Sequence, residues 1–289
     1  MYKIAHISDS HISFKDEDER GRKLVELLND IKERECDHIV FTGDLVENPH
    51  EQDLLFVREI FSHFGLLDSG KLSVVPGNHD IFGGAIRGVD FFRFIKSCSE
   101  VNYENKIDLF IDSFKETFPS NNSFPYLKII DNVTLIGINS IDLWSIDKNP
   151  EGSNGRINND DYEKLRNILS SEEIQDKFKL ILIHHHFNKP EFNEEYPAHS
   201  LWLKVVNWKM KLYGKKKLLK LFKKHNVNLV LYGHTHINEI SFIKKISFLN
   251  SSACIFPITD DQIRKYNIIN IPSEIDTEKN ITIETIIVG

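Results

Sequence analysis

The chain has 289 residues, 40% of them apolar and 11% aromatic, enough for a substantial core and too apolar for a disordered chain. Its formal charge of -7, from 43 acidic and 36 basic side chains, disfavours bulk electrostatic attraction to nucleic acid. Three scattered cysteines, Cys36, Cys98 and Cys254, make neither a disulfide framework nor a zinc ribbon, so a reducing compartment is expected.

A first strand at 2–8 stands so close to the initial Met that a charged leader and an apolar signal core have no room, which predicts a cytoplasmic protein. No apolar stretch approaches the roughly 20 residues that cross a bilayer. A helix over 18–34 follows, with Leu24, Leu27, Leu28 and Ile31 at helical spacing, then a strand at 38–42, a helix over 52–64 and a strand at 72–75. Between 80 and 125 the alternation breaks, and Phe-rich helical segments at 89–95 and 107–118 read as an insert near a site mouth. Strands at 126–130 and 133–139, a helix over 160–169 and a strand at 178–183 resume the order. After His236, runs at 239–243, 246–250, 266–271 and 281–288 lack long helices and predict a second, mainly antiparallel sheet. The expected fold is α/β: one domain over 1–289, two mixed sheets flanked by helices, with cap or lid inserts near 85–124 and 187–217.

Five apolar runs end on side chains that can bind a metal: 4–7 before Asp9 and His11, 39–42 before Asp44, 72–75 before Asn78 and His79, 180–183 before His184, and 229–232 before His234 and His236. Such runs read as buried strands, which predicts that these side chains gather at carboxyl ends of strands in one sheet. Taken singly, each has an ordinary reading; a lone histidine caps or faces solvent, and Asp44 after Gly43 suits a turn. Together, carboxylates, imidazoles and an amide oxygen suit Mn, Fe or Zn.

Asp9-Ser10-His11, Gly43-Asp44, Gly77-Asn78-His79-Asp80, His184 and Gly233-His234-Thr235-His236, in this order over 9–236, resemble the calcineurin-like metallophosphoesterases, a superfamily of dinuclear phosphatases and phosphodiesterases. The resemblance implies two divalent metal ions, one held by Asp9, His11 and His236 and the other by Asn78, His184 and His234, with Asp44 bridging. It further implies attack of a metal-bridging hydroxide on a phosphoester, nucleotide, glycerol or lipid in type. His79 would protonate the leaving oxygen or stabilise the transition state, and Asp80 would orient the His79 ring. The sequence departs from the family at His184-His185-His186-Phe187, where two histidines are usually followed by prolines; His184 directly follows the strand, and His185 is the alternative ligand. His79 is similar to the cyclic AMP phosphodiesterase type, because the UDP-2,3-diacylglucosamine hydrolases usually carry Arg there. A lipid-linked pyrophosphatase of that second type and a non-catalytic metal-binding scaffold stand as alternatives.

Segment 198–225 interleaves lysines with apolar residues, and Leu201, Val205, Trp208 and Leu212 recur at helical spacing. One reading is a helix that covers the core with solvated lysines. The other is a basic lid over an anionic substrate, or a peripheral contact with an anionic membrane. The stretch at 218–224 reads as the ordinary helix before the last motif strand. His38, His50, His63, His199 and His225 have no motif context and are expected to be structural or solvent-facing.

Overall fold

The computed structural model describes residues 1–84, 91–187, 210–256, 263–272 and 281–288. Apolar and β-branched runs make the strands. β1 (Tyr2–Ile7) leads into α1 (Arg22–Glu33), whose Leu24, Leu27, Leu28 and Ile31 form the buried stripe. Next come β2 (His38–Phe41), α2 (Glu51–His63) and β3 (Leu72–Val74). The break in alternation holds α3 (Phe91–Ser99) and α4 (Tyr103–Ser113), the latter capped by the Asn102 side chain accepting from the Asn105 N–H at 3.1 Å. β4 (Tyr126–Ile130), β5 (Val133–Gly137), β6 (Gly155–Arg156) and α5 (Asn159–Ser170) follow, and Asn158 caps α5 through the Asp161 N–H at 2.8 Å. The chain continues through β7 (Phe178–Leu182), β8 (Leu212–Tyr213), α6 (Lys215–Lys224) and β9 (Leu229–Tyr232). It ends with β10 (Glu239–Ile243), β11 (Ile246–Asn250), β12 (Lys265–Ile271) and β13 (Thr282–Ile287).

The strands build a five-stranded sheet, β13-β12-β1-β2-β3, and a six-stranded sheet, β10-β11-β9-β7-β5-β4. Both are mixed: β1, β2 and β3 are parallel and β12 is antiparallel to β1, while β5, β7, β9 and β11 are parallel and flanked by antiparallel β4 and β10. Alternation along the strands separates two cores. Leu180, Leu182, Leu229 and Leu231 join the cluster of Ile4, Ile7 and Tyr266 between the sheets; Ile181, Ile183 and Val230 join Leu165, Leu169, Leu218 and Phe222 under α5 and α6.

The four trailing strands do not make a sheet of their own. β10 and β11 extend the six-stranded sheet through a parallel pairing of β11 with β9, and β12 and β13 extend the five-stranded sheet through β1. The reason lies in burial: β12 is covered along nearly its whole length, which requires a partner strand on each side and a packed face. In 198–225, Leu212 sits in β8 rather than in a helix, and Leu201, Val205 and Trp208 lie outside the described residues, as do 187–217 apart from Phe187 and 210–217. α6 fulfils the plain reading, with Leu218, Leu219, Leu221 and Phe222 buried. Among the described residues no helix is long and apolar enough to cross a membrane.

His38 is a buried structural histidine. Its Nδ1 donates to Gly70 O at 2.8 Å and its Nε2 accepts from Ser73 Oγ at 2.9 Å, so the neutral ring is fully satisfied. Burial pushes its pKa down to about 3, and does the same to His6. Because the folded pKa lies below the ordinary value of 6.5, this stability is present above 6.5 and is lost as pH falls towards 3, at about 1.4 kcal/mol per pH unit for each such ring. The melting temperature of a His38→Gln variant should therefore fall less steeply than that of the parent between pH 6.5 and pH 3; parallel curves would remove His38 from the acid response.

Candidate metal centre

The segments that leave β1 and β2 are joined backbone to backbone. Asp9 N–H donates to Gly43 O at 3.0 Å, His11 N–H to Asp44 O at 3.0 Å and Ile12 N–H to Leu45 O at 2.9 Å. This pairing puts Asp9, His11 and Asp44 side by side at one end of the five-stranded sheet. The chain bends sharply there, with Asp9 at φ 54°, His11 at 47° and Asp44 at 54°. His234 and His236, after β9, take the same left-handed region at 74° and 59°. That conformation is disfavoured for residues with a Cβ, and its concentration on five candidate ligands marks a site held in shape by its surroundings. Gly77 is required for a different reason: a Cβ there would fall on the Asp44 carboxylate.

The second group of side chains comes from the other sheet, so the convergence lies between the two sheets and not along the edge of one. His184, after β7, donates Nδ1–H to Thr42 O at 2.7 Å, just beyond β2. A carbonyl can only accept, so this contact fixes the tautomer and turns Nε2 inward. The His234 N–H donates to both Asp9 carboxylate oxygens at 3.1 Å, a second tie across the gap.

Asp9, His11, Asp44 and His236 each offer an atom within 4.8 Å of the others, and Asp44, His184 and His234 do the same. Asp44 belongs to both groups, with Oδ2 3.8 Å from His11 Nε2 and 3.4 Å from His184 Nε2. His236 Nε2 lies 3.4 Å from Asp9 Oδ1 and 3.1 Å from His11 Nε2. Asn78 Oδ1 and His234 Nδ1 stand 3.2 and 2.9 Å from His184 Nε2. All seven predicted ligands are thus gathered in one place.

The donor set fits divalent cations. Burial disfavours charge on these rings, yet Asp44 outweighs it at His184 and raises the ring to about 9, and Asp9 likewise raises His236. Burial also pushes the Asp44 carboxyl up, but His184 and His79 overcome it and hold the carboxyl well below its ordinary range. A buried pair of carboxylates therefore demands compensating positive charge, which protons supply in the absence of metal. Converging imidazole nitrogens about 3 Å apart, with an amide oxygen beside them, suit Mn, Fe or Zn better than Mg alone.

Asp80 does not orient the His79 ring. Its carboxylate accepts from Gly77 N–H at 2.8 Å and Val46 N–H at 3.0 Å, which fixes the turn carrying Asn78 and His79. Burial and the nearby Asp44 raise its carboxyl to about 8. The ring of His79 is held instead by Nδ1–H donating to Glu47 O at 3.2 Å, and its N–H donates to Asp44 Oδ1 at 2.8 Å. Glu47 makes a third group with His11 and His79, and pairs with Arg20 at 3.1 Å. Arg20 sits in no motif; the one sequence hint at Glu47 is that it follows Asp44 by three positions, just after the buried run that ends at Val46. His185 spends its ring elsewhere, with Nδ1 2.8 Å from Ser140 Oγ and Nε2 3.2 Å from Ser153 O. His186 packs nearly parallel to the His234 ring at 6.0 Å. Of the three consecutive histidines, His184 is the one that faces Asp44.

The model of the calcineurin-like phosphoesterase family matches residues 2–238. Among solved structures, a dimetal phosphatase from Danio rerio is 11% identical, with a TM-score of 0.65, and the alignment covers 99% of this chain and 98% of that one. A purple acid phosphatase, PPD1, from yellow lupin (Lupinus luteus) seeds is 12% identical with a TM-score of 0.55, over 93% of this chain and 49% of the plant protein. At such identities these likenesses speak for the fold alone. No curated protein matches the chain at the sequence level. The match over 2–238, on a two-sheet fold whose facing strand ends gather ligands for metal, establishes that this chain belongs to the calcineurin-like phosphoesterase family and is a hydrolase acting on phosphoric ester bonds.

Proposed function

We propose that the chain hydrolyses a small phosphodiester or phosphomonoester, of nucleotide, glycerol or lipid type, at a centre of two divalent ions. Asp9, His11 and His236 would hold one ion, Asn78, His184 and His234 the other, and Asp44 would serve both. The observation that carries this reading is the position of Asp44, which is 2% exposed and common to both groups of donors. Bound ions there supply Lewis-acid activation of water and charge neutralisation at the phosphoryl oxygens. The protein's own part is to hold the substrate in line and manage a proton. With Nδ1 committed to Glu47 O, His79 keeps Nε2 as the position from which a proton reaches the leaving oxygen. Asp44 Oδ1, accepting from the His79 N–H, and Asp80, accepting from the Gly77 N–H, hold the turn from which the ring projects, while Glu47 O orients the ring itself. Cys98 and Cys254 are buried and free, and Cys36 is half-buried and free, which suits a reducing, cytoplasmic setting.

Dialysis against a chelator should lower bis-p-nitrophenyl phosphate hydrolysis by at least about a hundredfold, and Mn²⁺ should restore it while Mg²⁺ does so poorly. A folded, metal-loaded protein inactive on diesters and monoesters alike would point to binding without turnover.

A further inference from the structure

A cavity of ≈ 520 Å³ is lined by Gly84 and Asn48, one residue removed from the His79 ring and from Glu47, and lies within the volume range of small-ligand sites. Its wall includes Asn48, which follows Glu47, and Gly84, which packs against both the His79 ring and the Glu47 carboxylate: a Cβ there would lie 2.5 Å from His79 Cε1 and would meet Glu47 Oε1 as well. Gly84 therefore separates the cavity from the group proposed to act at the leaving oxygen by one backbone thickness. Phe82 and Phe94 give it aromatic surface, and Phe82 is fixed by packing against Ile81, Cys98 and Ile141. Arg93, on α3, and Lys106, on α4, give it two positive charges. No carboxylate among the described residues lines it. Lys106 is held in place, donating Nζ–H to Pro49 O at 2.6 Å with two further protons to offer. Arg93 has no ion-pair partner among the described residues. Aromatic surface beside two cations, with no acid among the described residues of the lining, favours a planar apolar body that carries its own negative charge.

We propose that this cavity is the specificity pocket for the leaving arm of the substrate, and that it takes an aromatic or heteroaromatic group bearing a second anion, such as a carboxylate or a further phosphate. The assignment rests on the proposed phosphoesterase reading, because His79 is what connects the cavity to the scissile bond. It gives α3 and α4 a function: they break the strand and helix order to supply Arg93, Phe94 and Lys106 to the mouth of the centre.

Two matched pairs of esters test it with the Mn²⁺-loaded full chain: 4-carboxyphenyl phosphate against phenyl phosphate, and their methyl diesters. Within a pair the leaving phenols are similar, so the carboxylate is the main variable. The expected result is a kcat/KM about tenfold higher for the carboxylated member, mostly through KM, narrowing as salt screens the contact. Arg93→Gln should reduce that ratio several-fold, and Arg93→Glu should bring it to one or below. Arg93 is exposed, so both variants are expected to fold. Lys106→Met provides an independent second removal of charge from the other helix. If the parent turns over phenyl esters with no preference for the carboxylate, or if the Arg93 variants leave the ratio unchanged, the pocket assignment falls while the phosphoesterase reading stands. If no ester in either pair is hydrolysed, both fall together.

Discussion

An Asp44→Asn variant is expected to lose phosphoesterase turnover by about a thousandfold or more while keeping its fold. The amide retains the shape of the carboxylate and an oxygen able to accept from His79 N–H, a contact of 2.8 Å in the parent. It removes the negative charge that faces His11 Nε2 at 3.8 Å and His184 Nε2 at 3.4 Å. Because this carboxylate is the donor common to both groups, its loss weakens both ion positions at once, unlike loss of a histidine from either side. Metal content measured on the purified variant should drop below two ions per chain, with the larger effect on activity because the ions act as a pair. A variant that kept two ions and a near-parent rate would refute the shared role. Circular dichroism separates this outcome from unfolding.

His79→Ala should behave differently. Turnover should fall by a factor between about a hundred and a thousand, the span of a lost general acid, with two ions retained. The distinguishing measurement is dependence on the leaving group. p-Nitrophenol departs with little help, so its esters should lose the least, whereas alkyl esters, whose leaving oxygen must be protonated, should lose the most. His79 also stands in a group with His11 and Glu47, which makes the metal measurement decisive. Loss of an ion in His79→Ala would make this ring a ligand or a structural support, and an equal loss for aryl and alkyl esters would deny it the proton.

Much of this architecture is legible from local pattern. β9, β10 and β11 fall on the predicted residues, and β1, β2, β3 and β7 each end just short of the predicted limit, because a buried strand and its ligand-bearing exit have distinct residue types. What pattern cannot carry is the pairing of strands. The trailing strands alternate as any antiparallel set would, yet they divide between two sheets because β11 finds β9 and β12 finds β1. The same blindness to partners explains why Asp80, adjacent to His79 in sequence, turns to Gly77 and Val46 instead. Glu47 was hidden likewise, since its meaning comes from the Arg20, His11 and His79 side chains brought to it by folding. Nor does any spacing announce the left-handed bends at Asp9, His11, Asp44, His234 and His236; a glycine would signal them, and here the bends fall on the ligands.

The two proposed ion positions would draw on opposite layers of the molecule, with Asp9, His11, Asp44 and Asn78 issuing from one and His184, His234 and His236 from the other. A filled centre would therefore act as a rivet through the sandwich, and slippage of one layer against the other would spoil the coordination before it exposed the core. Catalytic failure should precede global unfolding when the protein is heated or mildly denatured, and loading with metal should delay both.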